Sequence, residues 1–312
     1  MISVVVPVYR SSGTLAELTD RLRATLDPLT SGAWEVILVN YGSPDDSWAV
    51  ISRLCATDAR LVGINLMRNF GQHNAVMCGF SHAGGDYVVT LDDDLQNPPE
   101  EIPRLLNKLN EGFDVVYGTS IETTRRSLFR NLGSQMVVGT FKRIFGVDID
   151  ITTFRIIRGQ VVRQILSYQR SFTYVDGIIA WHTTNLGATP VEHKPRAVGR
   201  SGYSLGKLLN LSINLLTNFS LFPLRSATLL GFAFSFFGFA MAAFFLAKKL
   251  IQDIPVSGFA TTIIAVTLLS GTQLLTVGVL GEYIGRIHIN ISNRPQYAVR
   301  ERLNARTQDP AS

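Results

Sequence analysis

The amino-acid sequence predicts an α/β fold with a mostly parallel sheet, followed by an apolar C-terminal region. Three observations lead to this prediction. Short apolar runs alternate with amphipathic segments over the first 120 residues, two long stretches after residue 226 carry no charge, and three acidic residues follow one of the apolar runs. Strands that alternate with helices favour a parallel sheet with helices on both faces. Ligands of such sheets bind beyond the carboxyl ends of the strands.

The apolar runs predict five strands, with helices between them. The strands are residues 2–8, 34–39, 61–65, 87–91 and 115–118. Helices are expected over residues 15–26 and 71–82, and two more begin near Ser43 and Pro98. Ser43 has the features of an N-cap, because Pro44 and two acidic residues follow it. The candidate ligand loops are then residues 7–10, 40–46, 67–72 and 92–97.

Two uncharged stretches, residues 227–247 and 254–281, are rich in Phe, Leu, Ala and Ile. A membrane-spanning helix needs about 20 such residues, so we expect two transmembrane helices at about residues 227–247 and 259–281. A pair of buried core helices is the alternative. The arginines that flank the pair on one side are Arg225, Arg286, Arg294, Arg300 and Arg302. The positive-inside rule then places the N-terminal domain and both termini in the cytoplasm, although Lys248 and Lys249 in the short loop argue the other way.

Composition divides the chain into four predicted segments. Residues 1–203 form a cytoplasmic α/β domain, and residues 204–223 form an amphipathic helix that we expect in the membrane interface. An ordinary surface helix is the alternative for that segment. Residues 224–287 hold the two transmembrane helices, and residues 288–312 form a cytoplasmic tail.

The basic charge of the chain bears on its partners. The net charge is +5 and the pI is about 9.3. Because basic residues continue up to the predicted spans, anionic lipid headgroups and phosphorylated substrates explain the charge better than nucleic acid does. We therefore expect a lipid bilayer as partner and no nucleic acid. Cys55 and Cys78 lie in no Cys-x-x-Cys pair, and we expect both to be core residues.

An acidic cluster, Asp92, Asp93 and Asp94, directly follows the fourth predicted strand. Adjacent carboxylates repel one another unless a cation balances them, although a solvated loop is the alternative. Gln96 adds an oxygen donor, and Mg²⁺ prefers one or two carboxylates together with substrate phosphate oxygens. Alternate residues of an extended segment point the same way, so we expect Asp92 and Asp94 to face one side. A metal there would hold a diphosphate and neutralise charge on a leaving group.

Four segments resemble those of family 2 glycosyltransferases, and more narrowly those of the polyprenyl-phosphate sugar transferases. They are Leu-Asp-Asp-Asp-Leu-Gln-Asn-Pro-Pro-Glu at 91–100, Arg-Asn-Phe-Gly-Gln-His at 68–73, Val-Val-Pro-Val-Tyr at 5–9, and Gly-Glu-Tyr-Ile-Gly-Arg at 281–286. The resemblance covers residues 2–297. It implies a single nucleotide-binding α/β domain of the GT-A type. It also implies transfer of a sugar, with inversion, from a nucleotide-diphosphate sugar to a polyprenyl phosphate at the cytoplasmic face of the inner membrane.

The resemblance also implies roles for individual residues. Those expected to bind the metal, Mg²⁺ or Mn²⁺, are Asp92, Asp94 and Gln96. The catalytic residues would be Asp92, Asp94 and Asp93, the last as a base if the acceptor were a hydroxyl. The residues expected to bind the donor are Pro7, Val8, Tyr9, Asn40, Tyr41, Arg68 and Gln72.

A lipid phosphate acceptor needs cations close to the membrane, and arginine binds phosphate through its planar guanidinium group. The candidates are Arg126, Arg130 and Arg200, with Arg155 and Arg196 ranked below them. For each of these arginines, surface solubility is the alternative. A phosphate monoester is already ionised near neutral pH, with a second pKa of about 6. A general base is therefore dispensable if positioning and charge stabilisation suffice.

The chain departs from the family pattern at three places. Arg10 and Ser11 stand where Asn-Glu is common, and Gly202 stands where lysine is common. Tyr41 replaces a carboxylate that usually helps to read the base, although a tyrosine could stack on the base instead. These departures keep two alternatives open: a catalytically weakened scaffold that binds nucleotide or lipid, and a transferase with a hydroxyl acceptor. A homo-oligomer is also compatible with the sequence.

Overall fold

The computed structural model describes residues 1–120, 149–168, 170, 173–194, 222–251, 258–292 and 294–305. The chain divides into two compact units. The first consists of Met1–Leu209 and Asn293–Ser312, and the second is Asn210–Ser292. The candidate arginines at positions 126, 130, 196 and 200 lie outside the described residues, as do residues 204–221 of the predicted interfacial helix.

The first unit is an α/β domain. Its strands are β1 (Ile2–Val8), β2 (Trp34–Asn40), β3 (Leu61–Leu66), β4 (Tyr87–Thr90), β5 (Val115–Ser120), β6 (Arg155–Arg158), β7 (Leu186–Val191) and β8 (Val299–Leu303). Its helices are α1 (Leu15–Thr30), α2 (Ser47–Thr57), α3 (Gln72–His82), α4 (Ile102–Asn110), α5 (Gly159–Ile165) and α6 (Val175–His182). A single 3-10 turn, Pro99–Glu101, precedes α4.

The strands form one sheet in the order β7-β5-β6-β4-β1-β2-β3-β8. Strand β1 pairs in parallel with both β2 and β4, and β2 pairs in parallel with β3. Strand β6 is antiparallel to β4 and β5, and β8 is antiparallel to β3. The prediction of a mostly parallel sheet is confirmed. Its consequence for the site is that β1, β2, β3 and β4 all end at the same edge.

Both faces of β1 are buried, which explains why every residue of this strand except Ser3 is apolar. Val4, Val6 and Val8 belong to the core on the α1 side of the sheet. Val5 belongs to the other core, under α3. There a Cβ at Gly79 would lie 2.2 Å from Cγ1 of Val5, so glycine allows α3 to pack directly on the strand that ends at the candidate site.

One local expectation is wrong, and one strand was not expected. Ser43 is not the N-cap of the second helix, because α2 begins at Ser47 after Asp46. The Ser43 hydroxyl instead accepts a hydrogen bond from the backbone N–H of Arg10 and donates one to the carbonyl of Val8. The predicted tail also contains an unforeseen strand, because β8 pairs with the edge of β3.

The second unit contains two long helices, α7 (Phe222–Ile251) and α8 (Phe259–Ile291), which contact each other. Within the part of the chain that the structure describes, one segment, Leu224–Met241, is long and apolar enough to cross a membrane. Large apolar side chains on both helices are exposed, including Phe236 at 79% and Leu274 at 73%. Such exposure marks an interaction surface, and the second span remains a prediction.

Candidate active site

The loops after β1, β2, β3 and β4 meet at the carboxyl edge of the sheet. Gly42 has a φ of +80°, and a Cβ there would lie 2.8 Å from the backbone nitrogen of Asn69. The loop after β2 can therefore touch the loop after β3 only because residue 42 is glycine. The acidic segment that follows β4 completes this edge, and Leu95 within it adopts a φ of 61°.

Asp92 is held by hydrogen bonds to both of its carboxylate oxygens. The side-chain amide of Gln72, the first residue of α3, donates to Oδ1 at 2.8 Å. The hydroxyl of Thr153 donates to Oδ2 at 2.5 Å. Each carboxylate oxygen has two lone pairs, so a hydrogen bond to an oxygen does not prevent that oxygen from coordinating a cation. The carboxylate is therefore oriented by the protein and can still bind a ligand.

Asp93 is bonded to the loop after β1. Its Oδ2 accepts hydrogen bonds from the backbone N–H of Tyr9 at 2.8 Å and from the Ser11 hydroxyl at 2.5 Å. Burial raises the pKa of the Asp93 carboxyl to about 6, although these two hydrogen bonds lower it. Asp93 thus joins the acidic segment to the loop after β1, and this geometry does not favour the expected role as a base.

Asp94 and Gln96 belong to the turn that follows Asp92. Oδ1 of Asp94 accepts a hydrogen bond from the backbone N–H of Gln96 at 3.2 Å. The carbonyl of Gln96 accepts one from the backbone N–H of Lys194 at 2.8 Å. The turn is therefore braced by the segment after β7, and the Asp94 carboxylate lies at the half-exposed surface of the site.

The donor set at this edge fits a divalent cation that also binds substrate. Among the described residues, no group of three His, Cys, Asp or Glu side chains could enclose a metal ion by itself. Asp93 is bonded to the loop after β1, so Asp92 and Asp94 are the remaining carboxylates of the segment, and Gln96 follows two residues after Asp94. Mg²⁺ is usually bound by one or two carboxylates and by substrate phosphates rather than by an all-protein cage. The residues therefore fit Mg²⁺ or Mn²⁺ together with a diphosphate.

Two tyrosines form a stacked pair next to the acidic segment. The rings of Tyr9 and Tyr41 lie 5.1 Å apart at an interplanar angle of 18°. The guanidinium of Arg10 lies 5.5 Å from the centre of the Tyr9 ring, and Arg10 has a φ of 58°. The aromatic side chain of Tyr41 therefore lies beside Tyr9, at the position where the family resemblance implies a carboxylate. The pair offers a flat apolar surface of the kind on which a base stacks.

Three of the residues expected to bind the donor, Pro7, Val8 and Asn40, are buried. Pro7 and Val8 belong to the fully buried strand β1, and the Val8 side chain lies in the core. The Val8 carbonyl accepts hydrogen bonds from the Tyr41 N–H and the Ser43 hydroxyl. Asn40 is buried and donates to Oδ1 of Asn65 at 2.9 Å. Pro7 and Val8 are buried in the strand, so contact of their backbone and side chains with a nucleoside remains a prediction.

The remaining donor candidates divide into two kinds. The Arg68 side chain is exposed, and its guanidinium lies 4.5 Å from the centre of the Phe70 ring. Gln72 uses its amide to hold Asp92. Sequence reasoning missed Ser11 and Thr153, which bond to the acidic segment from loops 82 and 61 residues away. No local pattern marks such distant partners.

Arg155 is buried, so the expectation that it could bind the acceptor phosphate is wrong. Its guanidinium forms an ion pair with Asp176 of α6. The Asp176 carboxylate also accepts a hydrogen bond from the hydroxyl of Tyr117 at 3.3 Å. The side chains of Arg155 and Asp176 are 3% and 7% exposed, so this arginine cannot meet a lipid.

Comparison with curated proteins gives relatives that match almost the whole chain. Undecaprenyl-phosphate 4-deoxy-4-formamido-L-arabinose transferase of Yersinia pestis is 36% identical over 309 residues, which are 97% of this chain and 94% of the relative. The enzyme of the same name from Edwardsiella ictaluri is 35% identical over 99% of this chain and 96% of its own length. That from Shewanella sediminis is 36% identical over 97% and 92%.

Solved structures show the same fold at lower identity. Glucosyl-3-phosphoglycerate synthase from Mycobacterium tuberculosis, crystallised with Mn²⁺, UDP and glucosyl-3-phosphoglycerate, superposes with a TM-score of 0.50 and 18% identity. The match covers 70% of this chain and 77% of that one. The likeness supports the α/β fold of the GT-A type. Residues 3–168 also match the protein family described as glycosyl transferase family 2. From the family match and the long alignments together, this chain belongs to glycosyl transferase family 2.

Proposed function

We propose that this glycosyltransferase moves a sugar from a nucleotide-diphosphate sugar to a polyprenyl phosphate, with inversion at the anomeric carbon. One observation carries the proposal: the chain aligns over 97% of its length with a relative whose name states both an undecaprenyl-phosphate acceptor and a sugar. The acidic edge supports it, because Asp93 is bonded to the loop after β1 and Asp92 and Asp94 remain as partly exposed carboxylates near Gln96.

The donor diphosphate binds at the acidic edge in this proposal. Mg²⁺ or Mn²⁺ would be held by Asp92, Asp94 and Gln96, where it would neutralise charge on the departing diphosphate. Tyr9 and Tyr41 offer the stacked surface for the base. Arg68 is exposed in the adjoining loop and can approach a phosphate. Asp93 holds the Tyr9 loop against the acidic segment, so the base surface and the carboxylates keep a fixed separation.

The acceptor attacks without a protein base in this proposal. A phosphate monoester has a second pKa of about 6 and is mostly ionised at neutral pH, so its oxygen has no proton to remove. Asp93 is then free for the structural role that its hydrogen bonds indicate. Arg126, Arg130 and Arg200 are proposed to bind the acceptor phosphate, since arginine pairs with phosphate through two parallel hydrogen bonds.

The membrane arrangement is also part of the proposal. Residues 1–203 form the catalytic domain, residues 204–223 an interfacial helix, residues 224–287 a two-helix hairpin, and residues 288–312 a cytoplasmic segment. The exposed apolar side chains of α7 and α8 support a lipid environment. The flanking arginines favour an inner-membrane enzyme with its catalytic domain and both termini in the cytoplasm. A homo-oligomer is compatible with this arrangement.

The test is a transfer assay with membranes that contain the full-length protein. Undecaprenyl phosphate, Mg²⁺ or Mn²⁺, and a panel of nucleotide sugars with different bases are supplied, and the lipid fraction is extracted. We expect one donor to yield a sugar-bearing lipid, and chelation of the metal to stop its formation. Nucleotide binding without sugar transfer from any donor, by folded protein, would favour a scaffold and refute the proposed activity.

A further inference from the structure

The two hydrogen bonds to Asp92 come from opposite sides of the site. Gln72 reaches Oδ1 from the start of α3, and Thr153 reaches Oδ2 from the segment that enters β6. The Thr153 bond, at 2.5 Å, has the length of a hydroxyl that donates to an ionised carboxylate. With both oxygens held, the carboxylate cannot turn about its terminal bond without breaking one of the two bonds.

Thr153 is itself fixed to the strand that carries Asp92. The buried hydroxyl of Thr90, at the end of β4, donates to the Thr153 carbonyl at 2.6 Å. Asp92 lies two residues after Thr90, so β4, Thr153 and the carboxylate form a closed ring of bonds. Two residues beyond Thr153, the buried pair of Arg155 and Asp176 anchors the start of β6.

Burial does not impose the bond between Thr153 and Asp92. The Thr153 side chain is exposed, so water could satisfy its hydroxyl, yet the hydroxyl bonds to Asp92. The two bonds from Gln72 and Thr153 therefore give the Asp92 carboxylate a fixed orientation.

We propose that Thr153 and Gln72 are positioning residues that fix the Asp92 carboxylate for binding of the divalent metal and diphosphate. This inference rests on the proposed function of the acidic edge and assigns a role to Thr153, which no motif indicated. Hydrogen-bond partners of metal ligands orient the ligand lone pairs, and their loss typically costs about 10–100-fold in metal affinity.

The chain offers a matched control in the neighbouring residue. The Thr152 hydroxyl bonds to the carbonyls of Gly118 and Phe154 rather than to a carboxylate. Thr152→Val and Thr153→Val delete the same hydroxyl from adjacent positions with little change in side-chain volume. Thr153→Ser keeps the hydroxyl, and Gln72→Met removes the other donor with a side chain of similar length.

The experiment measures Mn²⁺ binding to the purified full-length protein by electron paramagnetic resonance, with Mn²⁺ alone and with UDP as probe. We expect Thr153→Val and Gln72→Met each to weaken binding by about 10-fold or more. Thr153→Ser should retain most of the wild-type affinity for Mn²⁺, and Thr152→Val should have the same affinity as the wild type. The unfolding midpoint of each variant is measured in parallel to show that the domain is folded.

The outcomes separate this inference from the proposed function. If the wild type binds Mn²⁺ and Thr153→Val binds it equally well, the positioning role is overturned. If Thr152→Val weakens binding as much as Thr153→Val, the effect belongs to the fold of the segment and the inference also fails. If the wild type binds no Mn²⁺ in either condition, the metal in the proposed function fails first. Should Thr153→Val not fold, Gln72→Met decides the question, and Mn²⁺ binding equal to that of the wild type overturns the positioning role.

Discussion

The buried pair of Arg155 and Asp176 provides a quantitative test of the packing beneath the site. Asp176→Leu would leave the Arg155 charge in the core without its partner. Removing one member of a buried ion pair costs about 3–5 kcal/mol, because the remaining charge stays desolvated. The Tyr117 hydroxyl would also lose its acceptor, which adds roughly 1 kcal/mol. Nε of Arg155 already has no hydrogen-bond partner among the described residues, so little local compensation is available.

The double variant Arg155→Met/Asp176→Leu removes both charges. Apolar replacement of a buried ion pair is often neutral or stabilising, and only the Tyr117 hydroxyl is then left without its partner. We therefore expect the double variant to lose no more than about 1–2 kcal/mol. It should be clearly more stable than either single variant.

Urea unfolding of the full-length protein in detergent measures these differences. The three tryptophans of the chain, Trp34, Trp48 and Trp181, all belong to the first unit. Intrinsic fluorescence therefore reports on the domain that contains the ion pair. A loss below about 1 kcal/mol for Asp176→Leu, or a double variant as unstable as the sum of the singles, would contradict the reasoning.

Three further predictions concern the acidic segment, a partly buried ion pair and the edge strand. Asp94→Ala should abolish Mn²⁺ binding and sugar transfer, and full activity of this variant would refute the role of Asp94 as a metal ligand. Asp93→Asn should retain Mn²⁺ binding, because the Asp93 carboxylate accepts a hydrogen bond from Tyr9. The hydrogen bond from Arg60 lowers the pKa of Asp58 to about 2, below its unfolded value of about 3.9. The stability that this bond contributes is therefore present above about pH 4 and lost as the pH falls towards 2, and Asp58→Asn should flatten that part of an acid-unfolding curve. Deletion of residues 299–312 removes β8 and the hydrogen bond from Arg300 to the Met67 carbonyl. The backbone amides of β3 should then exchange hydrogen faster, while those of β7 exchange at the same rate as in the full chain. Unchanged exchange in β3 would contradict the pairing of β3 with β8.

The sheet and the acidic segment were predictable because their signals are local. The apolar runs identified β1 to β5, and the acidic residues that directly follow the fourth run marked the candidate site. These patterns depend only on neighbouring residues, whose geometry is set by the backbone.

The features that sequence analysis missed depend on distant partners. Strand β8, Val-Arg-Glu-Arg-Leu, has no apolar run, because it lies at the edge of the sheet and exposes three of its five residues. Arg155 resembled a surface arginine until the fold brought Asp176 to it. Ser43 had every local feature of an N-cap, but its hydroxyl bonds to the loop after β1 instead. Thr153 lies beside Asp92 because β6, which begins two residues after Thr153, pairs with β4 on one side and β5 on the other.

The central claim is transfer of a sugar to a lipid phosphate, and mass spectrometry of the acceptor tests it most directly. Undecaprenyl phosphate would be incubated with the full-length protein, metal and each nucleotide sugar, with Asp94→Ala as the matched control. The account predicts that one donor adds the mass of a single sugar residue to the lipid with the wild type and not with the variant. An unmodified lipid with every donor, or a sugar recovered only on a hydroxyl acceptor, would contradict it.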